Sequence, residues 1–113
     1  MTAYYLTGDL FFSSRVTGVA QRLRLDLQVV GSIDKLLQGA SCELVLFDLT
    51  IRSLDVGAAV RSIRNKWPQA RIIAYGPHVQ EALLEAAQAA GCDEVLSRGQ
   101  FDRDLERLLR PAA

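Results

Sequence analysis

The most continuously apolar run in the sequence, within ELVLFDLT, ends on Asp48. An ionised carboxylate is costly to bury alone, so Asp48 must be solvated, hydrogen-bonded or paired with a metal ion. Three further residues with useful chemistry, Asp9, Gly76 and Arg98, also follow short apolar runs. Asp48 is therefore the first position at which to look for chemistry, and its relation to the other three depends on the elements that carry them.

Short apolar runs alternate five times with longer amphipathic segments, which is typical of repeated strand–helix units. The pattern predicts strands at residues 3–7, 28–30, 44–47, 71–75 and 94–96, and helices at residues 13–25, 32–39, 55–66, 78–91 and 102–109. Within the fourth helix, an apolar stripe of Val79, Leu83, Ala86, Ala87 and Ala90 is expected to face the core.

Five such units in 113 residues favour one domain, with a parallel sheet covered by helices on both sides. Ligands of such sheets gather beyond the carboxyl ends of the strands, where the strand order reverses. Asp9, Asp48, Gly76 and Arg98 all stand at predicted strand ends on that edge.

The charge balance argues against several classes of partner. There are 13 basic and 13 acidic residues, so direct nucleic-acid binding and a polybasic membrane surface are not expected. No apolar run approaches the length of a membrane span, and the N-terminal residues do not resemble a secretory signal. Cys42 and Cys92 form no metal-binding pattern. We therefore expect a cytoplasmic protein with free thiols.

The order of these residues resembles that of response-regulator receiver domains, from Tyr4 to Leu109. The resemblance implies a flavodoxin-like (βα)5 three-layer sandwich, with a parallel five-stranded sheet in the order 2-1-3-4-5, as one domain over residues 1–113 with a tail at 111–113. It also implies that Asp48, at the end of the third strand, stands where the family accepts a phosphoryl group.

Several positions depart from the family pattern. The acidic pair that holds Mg²⁺ is represented by Gly8-Asp9, so one acid is missing. Gly76 replaces the hydroxyl residue that ends the fourth strand, Arg98 replaces the lysine, and Arg52 replaces a proline. These changes imply weakened Mg²⁺ binding and impaired phosphorylation.

The remaining site would consist of Asp48 as phosphoacceptor, Arg98 as a partner of Asp48 or of a phosphate, and Gly76 at the switch position. Mg²⁺, if bound, would be held weakly by Asp9, Asp48 and Thr50. Simpler roles compete with these: Asp9 could serve only as a helix N-cap, and Arg98 could be a surface arginine.

The leading hypothesis is an atypical receiver in two-component signalling that is not an enzyme in the turnover sense. It would dock to a histidine kinase, an output domain or another regulator. A homodimer through the fourth helix to fifth helix face would involve Ala82, Ala89 and Arg103. Two alternatives remain: a small flavodoxin-like ligand-binding or enzymatic module that uses Gly76, Tyr75 and Asp48, and an interaction domain with an inert edge.

Overall fold

A computed structural model describes residues 2–52 and 54–110 of the chain. The strands are β1 (Thr2–Leu6), β2 (Asp26–Val30), β3 (Leu44–Asp48), β4 (Arg71–Gly76) and β5 (Glu94–Ser97). The helices are α1 (Leu10–Arg22), α2 (Ile33–Leu36), α3 (Val56–Lys66), α4 (Glu81–Ala90), α5 (Arg98–Arg103) and α6 (Leu105–Leu109). No helix in these two ranges is long and apolar enough to cross a membrane.

The five strands form one parallel sheet in the order β2-β1-β3-β4-β5, which confirms the predicted flavodoxin-like topology. All five residues of β3 are buried, as expected for a central parallel strand covered on both faces. Successive side chains of β1 alternate between the two layers: Tyr4 packs with α2 and α3, whereas Tyr5 packs with α1, α5 and α6. The sheet therefore has a separate core on each face.

The first helix begins earlier than the apolar periodicity predicted, at residue 10 instead of 13. Asp9 has extended backbone angles and accepts a hydrogen bond from the Phe12 amide, which is the geometry of an N-cap. The cap fixes the start of α1 directly after the end of β1.

The end of the chain also differs from the predicted single helix at 102–109. Ser97 and Gln100 form a capping box, in which each side chain accepts a hydrogen bond from the other residue's amide. The box starts α5 at Arg98, immediately after β5, and α6 follows from Leu105. Arg98 is therefore held on the first turn of a helix.

The prediction for the fourth helix was partly wrong. Val79 lies before α4 and is 75% exposed, and Ala86 is also exposed. Ala87 is buried, and Leu83 and Ala90 are half-buried. Leu84, which the predicted stripe did not include, is half-buried as well, so the face toward the core consists of Leu83, Leu84, Ala87 and Ala90.

Candidate functional site

Asp48 ends β3 at the carboxyl edge of the sheet and is only 4% exposed. Its Oδ1 accepts hydrogen bonds from the Thr50 amide at 3.0 Å and the Thr50 hydroxyl at 2.6 Å. Its Oδ2 accepts a hydrogen bond from the Thr7 hydroxyl at 2.7 Å. Three donors from neighbouring backbone and side chains therefore replace the water that burial removes.

Asp9 lies across the same edge, and both of its carboxylate oxygens are also engaged. Oδ1 accepts a hydrogen bond from the Phe12 amide at 3.0 Å, and Oδ2 accepts one from the Arg98 guanidinium at 2.6 Å. The Phe12 amide, followed by the Arg98 guanidinium, lowers the pKa of Asp9 below its ordinary value. Asp9 is thus both the N-cap of α1 and the partner of a cation.

The structure places Arg98 on Asp9 and not on Asp48, contrary to the expected Asp48–Arg98 pair. The guanidinium also lies 4.7 Å from the centre of the Phe12 ring, within the range of a cation–π contact. Because Arg98 begins α5 and Asp9 caps α1, the pair joins the N-termini of two helices. A second pair, Arg15 with Asp102, joins the same helices.

Asp9→Asn is expected to reduce the stabilising effect of this pair while keeping the cap, because asparagine also caps helices well. The ionised form of Asp9 stabilises the fold above its ordinary pKa of 3.8, and that contribution is lost as the pH falls through its lowered value. Urea unfolding from pH 7 down to about pH 3 should show a wild-type advantage that shrinks below about pH 4. A difference that stayed constant over this range would contradict the expectation.

Gly76 and Tyr75, two other residues of the predicted site, lie on the neighbouring strand β4, where Tyr75 pairs in register with Asp48. Gly76 ends β4, is buried, and pairs in register with Ser97 of β5. Tyr75 is 2% exposed, and its phenol is hydrogen-bonded to the phenol of Tyr5 in the core under α1 and α5. Burial raises the pKa of Tyr5 to about 12, so this pair stays neutral at ordinary pH.

An open cavity of about 390 Å³ lies beside the two aspartates. It is lined by Gly8, Asp9, Gly31, Asp48, Thr50, Ile51 and Arg52. Gly76 and Tyr75 are not among the residues that line this cavity.

The donor set at this edge does not fit Mg²⁺ well. Mg²⁺ requires oxygen ligands that are free to point at the ion, usually with one or two carboxylates and several waters. All four carboxylate oxygens of Asp9 and Asp48 already accept hydrogen bonds, one of them from the cationic Arg98. Within residues 2–52 and 54–110, no three His, Cys, Asp or Glu side chains are grouped to hold a metal.

The residue that sequence reasoning missed is Thr7. It lies one position beyond β1, is buried, and donates its hydroxyl proton to Asp48. The available signal was its position at the end of the first apolar run, which corresponds to that of Asp48 at the end of the third. Gly8, which stands where the first acid of the family pair was expected, lines the cavity without a side chain.

No protein-family model matches this sequence, and no curated protein matches it significantly. Solved structures do resemble the chain. The signal receiver domain of an HD domain-containing protein from Pseudomonas fluorescens is 18% identical with a TM-score of 0.81, and the match covers 96% of this chain and 90% of that one.

Two other solved structures share this fold. The receiver domain of a sensor histidine kinase from Pseudomonas aeruginosa, with a magnesium ion in its active-site cleft, is 18% identical with a TM-score of 0.73 and 96% coverage of both chains. A response regulator from Burkholderia pseudomallei, with a phosphorylated aspartic acid and a calcium ion, is 17% identical with a TM-score of 0.79. That match covers 96% of this chain and 66% of the other. The chain therefore has the flavodoxin-like fold of receiver domains.

Proposed function

We propose that this protein is an atypical receiver-type signalling domain that acts by docking to protein partners and has impaired phosphorylation at Asp48. The observation that carries the proposal is the engagement of every carboxylate oxygen of Asp9 and Asp48 by donors of the chain itself. The fold and the position of Asp48 at the end of β3 support a receiver, and the occupied oxygens support an atypical one.

Impaired phosphorylation follows from the electrostatics of the site. Phosphoryl transfer depends on positioning and on neutralising the charge of the transferred group. Here the cation of Arg98 is already paired with Asp9, and the Mg²⁺ that would supply further positive charge must share every carboxylate oxygen with a donor of the chain. A phosphoryl donor would therefore meet a site that is poorly prepared to accept it.

Docking is supported by the apolar surface near this edge. Leu10 and Phe11, on the first turn of α1, are 78% and 94% exposed. A partner that docks at this edge would bury these two adjacent apolar side chains. The partner classes that suit a receiver fold are histidine kinases, output domains and other regulators. The homodimer face stays a prediction: Ala82, Ala89 and Arg103 are exposed, as it requires.

A two-dimensional NMR titration with Mg²⁺, followed by beryllofluoride, tests the impaired site. We expect no saturating shifts at Asp9, Asp48 or Arg98 in the wild type, and the same result in Asp48→Asn. Saturating shifts that disappear in Asp48→Asn would instead identify a working phosphoacceptor, and the proposal of an impaired site would be wrong.

Docking is tested separately by titrating the labelled domain with histidine-kinase phosphotransfer helices and with output domains from the organism that encodes it. We expect one of these to bind, with the affinity retained in Asp48→Asn and reduced in Phe11→Ser. If none binds, while native mass spectrometry of the purified protein shows a retained small molecule, the alternative of a ligand-binding module replaces the docking proposal.

A further inference from the structure

The hydroxyl of Thr7 makes two hydrogen bonds that connect the two aspartates. It donates its proton to Asp48 Oδ2 at 2.7 Å and accepts the amide proton of Asp9 at 3.0 Å. A hydroxyl has a single proton, so its use toward Asp48 determines which lone pair remains for Asp9. The orientation of the buried Thr7 hydroxyl therefore depends on both Asp48 and Asp9.

From Asp9 the connection continues to the surface. The Asp9 carboxylate holds the first turn of α1 through the Phe12 amide and holds Arg98 at the start of α5. Arg98 in turn lies over the Phe12 ring, and α1 is further joined to α5 through Arg15. A displacement of the Asp9 backbone would thus alter the capping of α1 and the position of Arg98 together.

The Thr7 hydroxyl also lies near the phenols of Tyr5 and Tyr75, where burial raises the pKa of each and Thr7 acts to lower it, but this contact leads into the core and not to Asp9. The phenols of Tyr5 and Tyr75 are hydrogen-bonded to each other, and Tyr75 is stacked on Phe101 with ring centres 4.2 Å apart. Gly76, at the end of β4, has no side chain that could contact a group on Asp48. The end of β4 therefore has no hydroxyl whose movement could report a change at Asp48.

We infer that Thr7 is a positioning residue that transmits the chemical state of Asp48 to the N-termini of α1 and α5 through Asp9 and Arg98. The inference deepens the proposed function and rests on it, because it names how a docking receiver would report the state of its site. When a group is bonded to Asp48 Oδ2, that oxygen loses its share of the negative charge and becomes a weaker acceptor, and the hydroxyl of Thr7 turns. The Asp9 amide and the Arg98 guanidinium then shift with it.

Asp48→Asn provides a defined change at the start of this path. The Thr50 amide can only donate, so it keeps the asparagine oxygen, and the asparagine NH₂ is turned toward Thr7. Thr7 must then accept at the position where it previously donated. NMR of the full chain should show shifts at the Asp9 amide and the Arg98 Nε–H in Asp48→Asn relative to the wild type.

The same substitution is then made in Thr7→Val and, as a matched control, in Thr50→Val. Both threonines donate a hydroxyl to Asp48, but only Thr7 also contacts Asp9. In Thr7→Val, the Arg98 Nε–H shift caused by Asp48→Asn is expected to fall at least about threefold, because the hydroxyl that links Asp48 to Asp9 is removed. In Thr50→Val, which leaves that hydroxyl in place, the shift is expected to persist. Thr7→Ser, which keeps the hydroxyl, should restore it.

Equal Arg98 shifts in the Thr7→Val and Thr50→Val backgrounds would overturn the inference. If Thr7→Val does not fold, the comparison of wild type with Asp48→Asn still tests the inference. An unchanged Asp9 amide signal in Asp48→Asn would exclude transmission from Asp48 through Thr7 to Asp9. None of these measurements uses a partner protein. If a partner binds but the Arg98 shift does not depend on Thr7, only the role of Thr7 is refuted. If the Arg98 shift depends on Thr7 but no partner binds, the proposed docking function is refuted.

Discussion

Phe101→Ala is expected to lower the free energy of unfolding by about 3–5 kcal/mol, the range for removing a fully buried phenylalanine ring. Phe101 is 0% exposed and lies at the centre of the core under α1 and α5. Its ring stacks on Tyr75 at 4.2 Å between centres and contacts Phe12 at 5.8 Å. The rigid sheet beneath leaves little freedom for the cavity to collapse, so the loss should lie in the usual range for such sites.

Phe11→Ala is the matched control, because it removes the same ring from a side chain that is 94% exposed. Its effect should stay within about 0.5 kcal/mol. Urea unfolding of both variants, followed by circular dichroism, gives the two values under the same conditions. A loss for Phe11 as large as that for Phe101 would show that the N-terminal turn of α1 is packed in solution, contrary to the structure.

Much of the fold could be predicted because its signals are local and repeated. The apolar run that ends on Asp48 became β3, with both faces buried. Ser32 caps α2 and Gly91 ends α4 in a left-handed conformation, as residues of these types commonly do. The order of the strands required the resemblance to a known family, since no local pattern specifies which strands become neighbours.

The site was less predictable because its geometry depends on contacts between distant segments. The sequence places Asp9, Asp48 and Arg98 at one edge, but it cannot say which aspartate the arginine contacts. The capping box at Ser97 begins α5 at Arg98, and from this first helical position the guanidinium contacts Asp9. Thr7 was missed because a threonine after a strand has many ordinary roles, and only the parallel pairing of β1 with β3 brings it to Asp48.

The same geometry predicts that two substitutions together should create a Mg²⁺ site: Gly8→Asp and Arg98→Gln. Gly8 lines the cavity, and a Cβ built there meets no atom within 4 Å, so an aspartate can be accommodated. Arg98→Gln removes the cation that occupies Asp9 Oδ2. Two unit charges about 4 Å apart near a protein surface interact by roughly 4 kcal/mol. Removing even a third of such a repulsion between Arg98 and a bound cation would raise the affinity for that cation by about tenfold.

We therefore expect Gly8→Asp/Arg98→Gln to bind Mg²⁺ saturably, at least about ten times more tightly than the wild type, as measured by NMR titration at fixed ionic strength. Gly18→Asp/Arg98→Gln is the matched control, because Gly18 also has open space around its Cβ position but lies in the middle of α1, outside the cavity lining. Equal affinities for the two double variants would mean that general negative charge, and not the cavity, attracts the ion. Tight binding by the wild type itself would show that the hydrogen bonds to Asp9 and Asp48 yield to a metal, and that Arg98 does not close the site against cations.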